Sequence, residues 1–413
     1  MFWRVKKKII DTDERKIDDI LSRSIAQIFP SKEAFKKELM SGRRLKIYIG
    51  TDPTGPELHI GHATNFLLLE KLRQLGHEIV ILFGDFTARI GDPTGKETAR
   101  KTLTAEEVRK NIKTWTSQVG KVLSLKDKKN PARIVKNSAW LSKLSLEDVI
   151  GIASQVTVQH MIERDMFEKR LEEGKPIHLH EFLYPLLQGY DSVALDVDAE
   201  VGGNDQTFNM LVGRTLQKKY HDKEKFVIAT ALLENPKTGK KLMNKSEGGF
   251  IGLSDTPRDM YGKTMALPDE VIISVCTDAT LMPLSEIEGM KKRLASGGNP
   301  RDEKMRLARE LVALYHDKGA AKNAEAEFVA LFQKKETPEN VREITASRGA
   351  SLRNLLLEHG LVSSGSEFGR LVKEGAVKNI DTGEKIRDIT FVVDKDTVFK
   401  LGKRSFVKVV VRM

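Results

Sequence analysis

Apolar positions fall at helical spacing near the start of the chain. Ile17, Ile20, Leu21 and Ile25 share one face of a charged segment, which predicts an amphipathic helical arm over residues 14–40. A strand follows at Leu45–Ile49, closed by Gly50. After the Pro/Gly-rich turn Asp52-Pro53-Thr54-Gly55-Pro56, a helix carries Ile60, Ala63, Leu67 and Leu68 and ends at Gly76. The run Ile79–Phe83 is continuously apolar, as a buried parallel strand is. This order, with further helix and strand alternation to about residue 233, predicts a doubly wound, Rossmann-type α/β domain with a parallel sheet. From about 251 to 335 the pattern turns helical and charged, and Lys334–Pro338 reads as the start of a linker. Beyond it come two short helices, about 351–359 and 366–374, then Val- and Phe-rich strands around a Thr382-Gly383 turn. The expected organisation is an N-terminal helical arm (1–44), the α/β domain (45–235), a loop and helical domain (236–345) and a small α+β domain (346–413).

Composition leaves that picture intact. Of 413 residues, 40% are hydrophobic and 31% charged, which suits a packed chain rather than a disordered one. No run approaches 18 consecutive apolar residues, so no ordinary membrane-spanning helix is expected. Met1 to Lys8 turn basic without an apolar core, which argues against a secretory signal. The one cysteine, Cys276, can close no intrachain disulfide and supports no cysteine-based zinc site. A reducing, cytoplasmic setting is expected. Charge adds more. Lys and Arg outnumber Asp and Glu by 69 to 58, a formal +11. Residues 351–413 hold 12 basic and 8 acidic side chains, and residues 89–137 hold 13 and 5. Two basic surfaces suit an extended polyanion better than a small ligand, although the 89–137 run reads equally well as a solvated face.

The most informative tetrapeptide is His59-Ile60-Gly61-His62, which opens the first helix of the α/β domain. A helix N-terminus offers free backbone N–H groups and a positive dipole end to phosphate, and Gly61 permits close approach of a nucleotide. Two imidazoles at i and i+3 share a face and can donate to phosphate oxygens. The plain alternative is a helix cap with two ordinary histidines; a metal site lacks a third ligand at a recognisable spacing. A second motif, Gly239–Gly249, is a Lys/Gly/Ser loop after the apolar strand Phe226–Ile228, suited to bringing ammonium groups to a polyphosphate. Gly91–Lys96 imitates a P-loop but is one residue short. His178, His180 and Glu181 read as structural or pocket-rim residues rather than as a metal site.

Further motifs bring the chain close to a known family. Tyr48-Ile49-Gly50-Thr51-Asp52-Pro53-Thr54 precedes the His-Ile-Gly-His element, and Gly84–Lys96 follows it. Tyr184–Asp191 and Gly202-Gly203-Asn204-Asp205-Gln206 come later, and residues 351–413 are similar to an S4-type RNA-binding domain. Over nearly its whole length the chain resembles the class I aminoacyl-tRNA synthetases, specifically the bacterial tyrosyl-tRNA synthetases. The resemblance implies activation of L-tyrosine with ATP, transfer to tRNA(Tyr), Mg²⁺ entering with ATP at no dedicated protein site, and a homodimer with no membrane association.

Residue by residue, the resemblance implies that Tyr48 and Asp191 meet the substrate hydroxyl. Asp92, Tyr184 and Gln188 would bind the α-amino group, with Thr87 and Asn137 beside the pocket. Asp52 and Asp205 would serve the amino group and ribose, and Gln206 the carboxylate. Thr54 and His59 would contact the γ-phosphate and His62 the nucleotide, while Lys96, Arg100 and Lys245 close over pyrophosphate. Gly50, Gly61, Gly203, Met243 and Ser246 would complete the ATP site. Two departures stand out. The family's Lys-Met-Ser-Lys-Ser signature reads Leu242-Met243-Asn244-Lys245-Ser246 here, so the first lysine is missing, and Gly369 replaces a usual basic residue of the S4 pattern. Lys245, with Lys96 and Arg100, is expected to do the work that Leu242 cannot; a swing of Lys240 or Lys241 is the other account. The related tryptophanyl enzyme is disfavoured by Tyr48 and Asp191. A non-catalytic RNA-binding paralogue is disfavoured by the intact ATP-site residues.

Overall fold

Six strands build the central sheet: β1 (Ile25–Phe29), β2 (Lys46–Thr51), β3 (Glu78–Phe83), β4 (Arg133–Lys136), β5 (Ala199–Gly203) and β6 (Phe226–Thr230). A computed structural model describes residues 10–93, 103–162, 165–243, 249–332, 341–402 and 405–412. The apolar runs of β2 and β3 are buried on both faces, as central parallel strands require. The spatial order is β1-β6-β5-β2-β3-β4, parallel throughout except for β1. The chain runs outward from β2 to β4, then returns to the other side of β2 for β5 and β6. That reversal opens a crevice at the C-terminal ends of β2 and β5, where open α/β sheets bind ligands.

Between β2 and β3 lies the Ile60–Gln74 helix. It buries Ile60, Ala63, Phe66, Leu67, Leu68, Leu69 and Leu72, so it is a core helix rather than a surface one. It stops at Leu75, followed by Gly76 at φ 104, a left-handed conformation that favours glycine. Truncating fully buried Leu72 to alanine costs about 2–5 kcal/mol.

The N-terminal arm departs from the expected continuous helix. Helices Glu14–Leu21 and Lys32–Met40 flank β1, and Ser24 takes φ 52 at the break. Ile28 and Phe29 pair with Ile228 and Val227 on the edge of β6. Pairing with an otherwise open sheet edge outweighs the helical period that Ile25 extends, because β-branched and aromatic side chains pack well there.

The region expected to be helical forms helices Pro257–Met265, Ile272–Ala279, Leu284–Ala295, Pro300–Tyr315 and Lys318–Phe332. Cys276 is buried among them, and burial pushes its thiol up to about 12, which makes it unreactive. The chain divides into two compact units, Met1–Lys322 and Asn323–Met413. In the second, β7 (Arg342–Ser347), β8 (Ala350–Ser351), β9 (Val377–Asn379), β10 (Val392–Val393), β11 (Thr397–Leu401) and β12 (Ser405–Arg412) accompany helices Leu352–Glu358 and Gly365–Lys373. Its four-stranded sheet runs β7-β12-β11-β9 and packs around Leu352, Leu356, Phe368, Val377, Phe399, Val407 and Val409.

Candidate active site

The switch point holds a cavity of about 670 Å³. One end is set by the turn between β2 and the Ile60–Gln74 helix. That turn is pinned by the Ala105–Val119 helix: Asn111 Nδ2 donates to Pro53 O at 2.9 Å, Trp115 Nε1 to Gly55 O at 2.6 Å and Gln118 Nε2 to Pro56 O at 2.9 Å. The same helix exposes Arg109, Lys110 and Lys113, so part of the basic 89–137 stretch is a solvated face. His59 caps the Ile60–Gln74 helix, and its backbone N–H donates to His62 Nδ1 at 3.3 Å. Burial lowers His62 to about 4, so near neutral pH the ring is uncharged. With Nδ1 accepting, its proton sits on Nε2. His62 therefore supplies a hydrogen-bond donor rather than a charge. Asp205 and Gly203, at the end of β5, line the same end, and Lys241 Nζ lies 3.0 Å from Asp205 Oδ2.

The other end is a polar floor. Tyr184, Gln188 and Asp191 recur at i, i+4 and i+7 along the Leu179–Leu195 helix and so share the face that lines the cavity. Asp191 is buried, accepting from Trp140 Nε1 at 2.8 Å and Asn137 Nδ2 at 3.2 Å. Burial pushes its carboxyl well above the usual range, and those two hydrogen bonds oppose the shift. Asp52 accepts from Thr87 Oγ1 at 2.7 Å and from the Tyr184 hydroxyl at 2.9 Å. Burial, then Asp52 and Asp92, raise the Tyr184 hydroxyl well above its ordinary value, so it stays a donor. The site depends on Gly84, where a Cβ would stand 1.9 Å from Asp52 Oδ1 and 2.2 Å from Thr87 Oγ1. Gln206 Nε2 donates to Asp92 Oδ2 at 2.8 Å.

A profile of the family described as tRNA synthetases class I (W and Y) matches residues 40–333, more than half of the chain. The chain belongs to that family. It is 43% identical over 416 residues to the tyrosine–tRNA ligase of Carboxydothermus hydrogenoformans, covering 97% of this chain and 99% of that protein. It is 43% identical over 396 residues to the tyrosine–tRNA ligase of Moorella thermoacetica, covering 94% of each. Among solved structures, a C-terminally truncated mitochondrial tyrosyl-tRNA synthetase from Aspergillus nidulans shares the fold, with TM-score 0.65 at 22% identity over 79% of this chain and 95% of that one.

In this class I synthetase, Gly50, Asp52, Thr54, His59, Gly61, His62, Thr87, Asp92, Tyr184, Gln188, Asp191, Gly203, Asp205, Gln206 and Met243 all line the one cavity. Asn137 and Tyr48 stand one layer deeper. Asn137 bridges Thr87 and Asp191, and the Tyr48 hydroxyl, fully buried, lies 2.8 Å from Ser192 Oγ. Lys96, Arg100, Lys245 and Ser246 lie outside the described residues. Glu181 is engaged by Arg170 at 2.6 and 3.0 Å, and its partner histidines stack 5.7 Å apart. Among the described residues no group of three His, Cys, Asp or Glu side chains could hold a metal ion. Sequence reasoning missed Trp140, Ser192, Asn209, Glu200 and Lys225. Their partners come from separate elements, so no local spacing marks them.

Proposed function

We propose that this chain is a tyrosine–tRNA ligase. It activates L-tyrosine with ATP to tyrosyl-adenylate and pyrophosphate, then transfers tyrosine to the 3′-terminal adenosine of tRNA(Tyr). The observation that carries the reading is a single cavity joining the Asp191 floor to the helix N-terminus opened by His59 and His62. The 43% identity to curated tyrosine–tRNA ligases over nearly the whole chain supports the same choice of amino acid.

The tyrosine hydroxyl pairs with Asp191, backed by Tyr48. The α-amino group sits among Asp92, Tyr184 and Gln188, with Asp52 held in place by Tyr184 and Thr87. Gln206 takes the carboxylate. That carboxylate attacks the α-phosphorus of ATP: an oxygen–phosphorus bond forms, the bridging bond to the β-phosphate breaks, and its electron pair leaves with pyrophosphate. Such a step needs positioning and charge neutralisation more than proton transfer. The helix dipole and the His62 Nε2–H meet phosphate, Asp205 accepts from ribose hydroxyls, and Mg²⁺ arrives on the nucleotide. Lys96, Arg100 and Lys245 supply the remaining positive charge.

In the C-terminal unit, Arg353, Arg370, Lys373, Lys378 and Lys385 are exposed, which supports a role for the S4-like residues 346–413 as tRNA phosphate contacts. Leu146, Ile150, Val158, Leu171 and Leu179, spread over the helices of residues 146–179, are exposed, and a second copy of the chain is the occupant we assign to these side chains. No helix among the described residues is long and apolar enough to cross a membrane, and the cytoplasm is the setting that fits the reaction. Charging of a tRNA(Tyr) transcript with labelled tyrosine tests the function. Stable acylation that tryptophan cannot replace is expected; charging of a tRNA(Trp) transcript instead would overturn it.

A further inference from the structure

Behind the cavity wall lies an ion pair that the chemistry above does not use. Lys225, the residue before β6, is 0% exposed, and its ammonium donates to Glu200, itself 1% exposed. An ammonium withdrawn from water is strongly disfavoured unless paired and fully hydrogen-bonded. The helices give it room: a Cβ on Gly213 would stand 2.6 Å from Lys225 Nζ and 2.8 Å from Ser192 Oγ. Glu200 is the register partner of Tyr48 on the neighbouring parallel strand, so both side chains leave the same face of the sheet.

From this pair the hydrogen-bond directions run outward to the pocket. Lys225 also donates to Ser192 Oγ at 2.8 Å, and Ser192 gives its single proton to Glu200 at 3.3 Å. The Tyr48 hydroxyl, 2.8 Å from Ser192 Oγ, is then left as the donor. On its other oxygen Glu200 accepts from Gln188 Nε2 at 3.3 Å. Gln188 Oε1 accepts from Asn209 Nδ2 at 2.9 Å, which also donates to Gln206 Oε1 at 3.0 Å. A carboxylate can only accept, so Gln188 must turn its nitrogen inward and keep its oxygen as the acceptor an ammonium substrate group needs.

We propose that the buried Lys225–Glu200 pair is a positioning element for amino-acid recognition, which fixes the Gln188 amide and the Tyr48 hydroxyl in single orientations and thereby sets affinity and selectivity for tyrosine. Lys225, Ser192 and Gln188 all donate to Glu200, so its carboxylate acts purely as an acceptor. An amide in place of the Glu200 carboxylate can donate, and the Gln188 amide can then flip to face the substrate ammonium with its own N–H groups. The proposal rests on the reading of Gln188 and Tyr48 as tyrosine-pocket residues.

The test uses the full chain, with tyrosine-dependent ATP–pyrophosphate exchange measured for Glu200→Gln and for the double variant Glu200→Gln/Lys225→Met, which leaves no lone buried charge. The KM for tyrosine should rise, and the tyrosine-to-phenylalanine ratio of kcat/KM should fall, each by about tenfold, with the KM for ATP within about twofold. Parent-like values for tyrosine in variants of near-parent Tm would reduce the pair to a packing element and overturn the proposal. So would equal rises in both KM values. If the double variant does not fold, Glu200→Gln alone decides on the same criteria. Gln188→Leu separates the two layers: an unchanged tyrosine KM there would remove the pocket reading itself.

Discussion

Asp191 sits in a floor built from Trp140, Asn137 and the cavity face of its own helix. A hydroxyl brought to it gains a buried hydrogen-bond partner, while a phenyl group leaves the carboxyl desolvated and unmatched. Asp191→Asn should therefore lower the tyrosine-to-phenylalanine ratio of kcat/KM by about 10–100-fold, from about 1–3 kcal/mol of lost matching. Tyr48→Phe, one layer deeper, should cost less. Competition assays with both amino acids check this, and an unchanged ratio in Asp191→Asn would exclude it as the hydroxyl reader. A second residue governs pH behaviour. His77 is fully buried, accepts from the Leu45 N–H at 3.2 Å, and is lowered to about 4, chiefly by burial and then by Arg44. Its folded value lies below its ordinary 6.5, so the unfolded chain takes up the proton first. The stability it contributes is full above about pH 6.5 and is lost as pH falls toward 4. Between pH 7.5 and 5 that loss is about 2 kcal/mol, and urea denaturation of His77→Gln should show a pH dependence shallower by that amount. Equal pH dependence in variant and parent would contradict it. Asp52, His59 and Asp205, which line the cavity, were legible as candidates because each lies in a contiguous motif. Lys225 and Glu200 were not, since their meaning depends on strand register and on the space at Gly213.

At the scale of elements, the β2–helix–β3 unit could be read from the chain because its apolar runs have one period each. β1 could not. Its hydrogen-bond partner, β6, enters far along the chain, and only that pairing turns Ile25–Phe29 into a strand. The loop after β6 raises a sharper question. Leu242 and Lys241 both line the cavity, and the Lys241 ammonium is engaged with Asp205 at 3.0 Å. On the proposed reading of Asp205 as the ribose acceptor, a lysine held there is poorly placed to neutralise pyrophosphate, which favours Lys245 for that role. Lys245→Ala should slow adenylate formation by about 10²–10³, as loss of a contact made only in the transition state does, with little change in tyrosine affinity. Lys241→Ala should cost far less. Pre-steady-state adenylate formation decides it, and a larger loss at Lys241 would reverse the assignment.

The whole molecule keeps its two chemical demands apart. Every cavity residue lies in the unit Met1–Lys322, and the exposed basic side chains of the S4-like module lie in Asn323–Met413. A chain ending at residue 340 should retain tyrosine-dependent exchange within about threefold. Its tRNA charging should fall sharply, because phosphate contacts carry much of the affinity and its salt dependence. Parallel loss of both steps would mean that the C-terminal unit supports the catalytic fold instead. The most direct measurement is ATP–pyrophosphate exchange on the full chain with each of the twenty amino acids in turn. Exchange with tyrosine alone is expected; exchange driven by tryptophan, or by no amino acid, would contradict the assignment of a tyrosine–tRNA ligase.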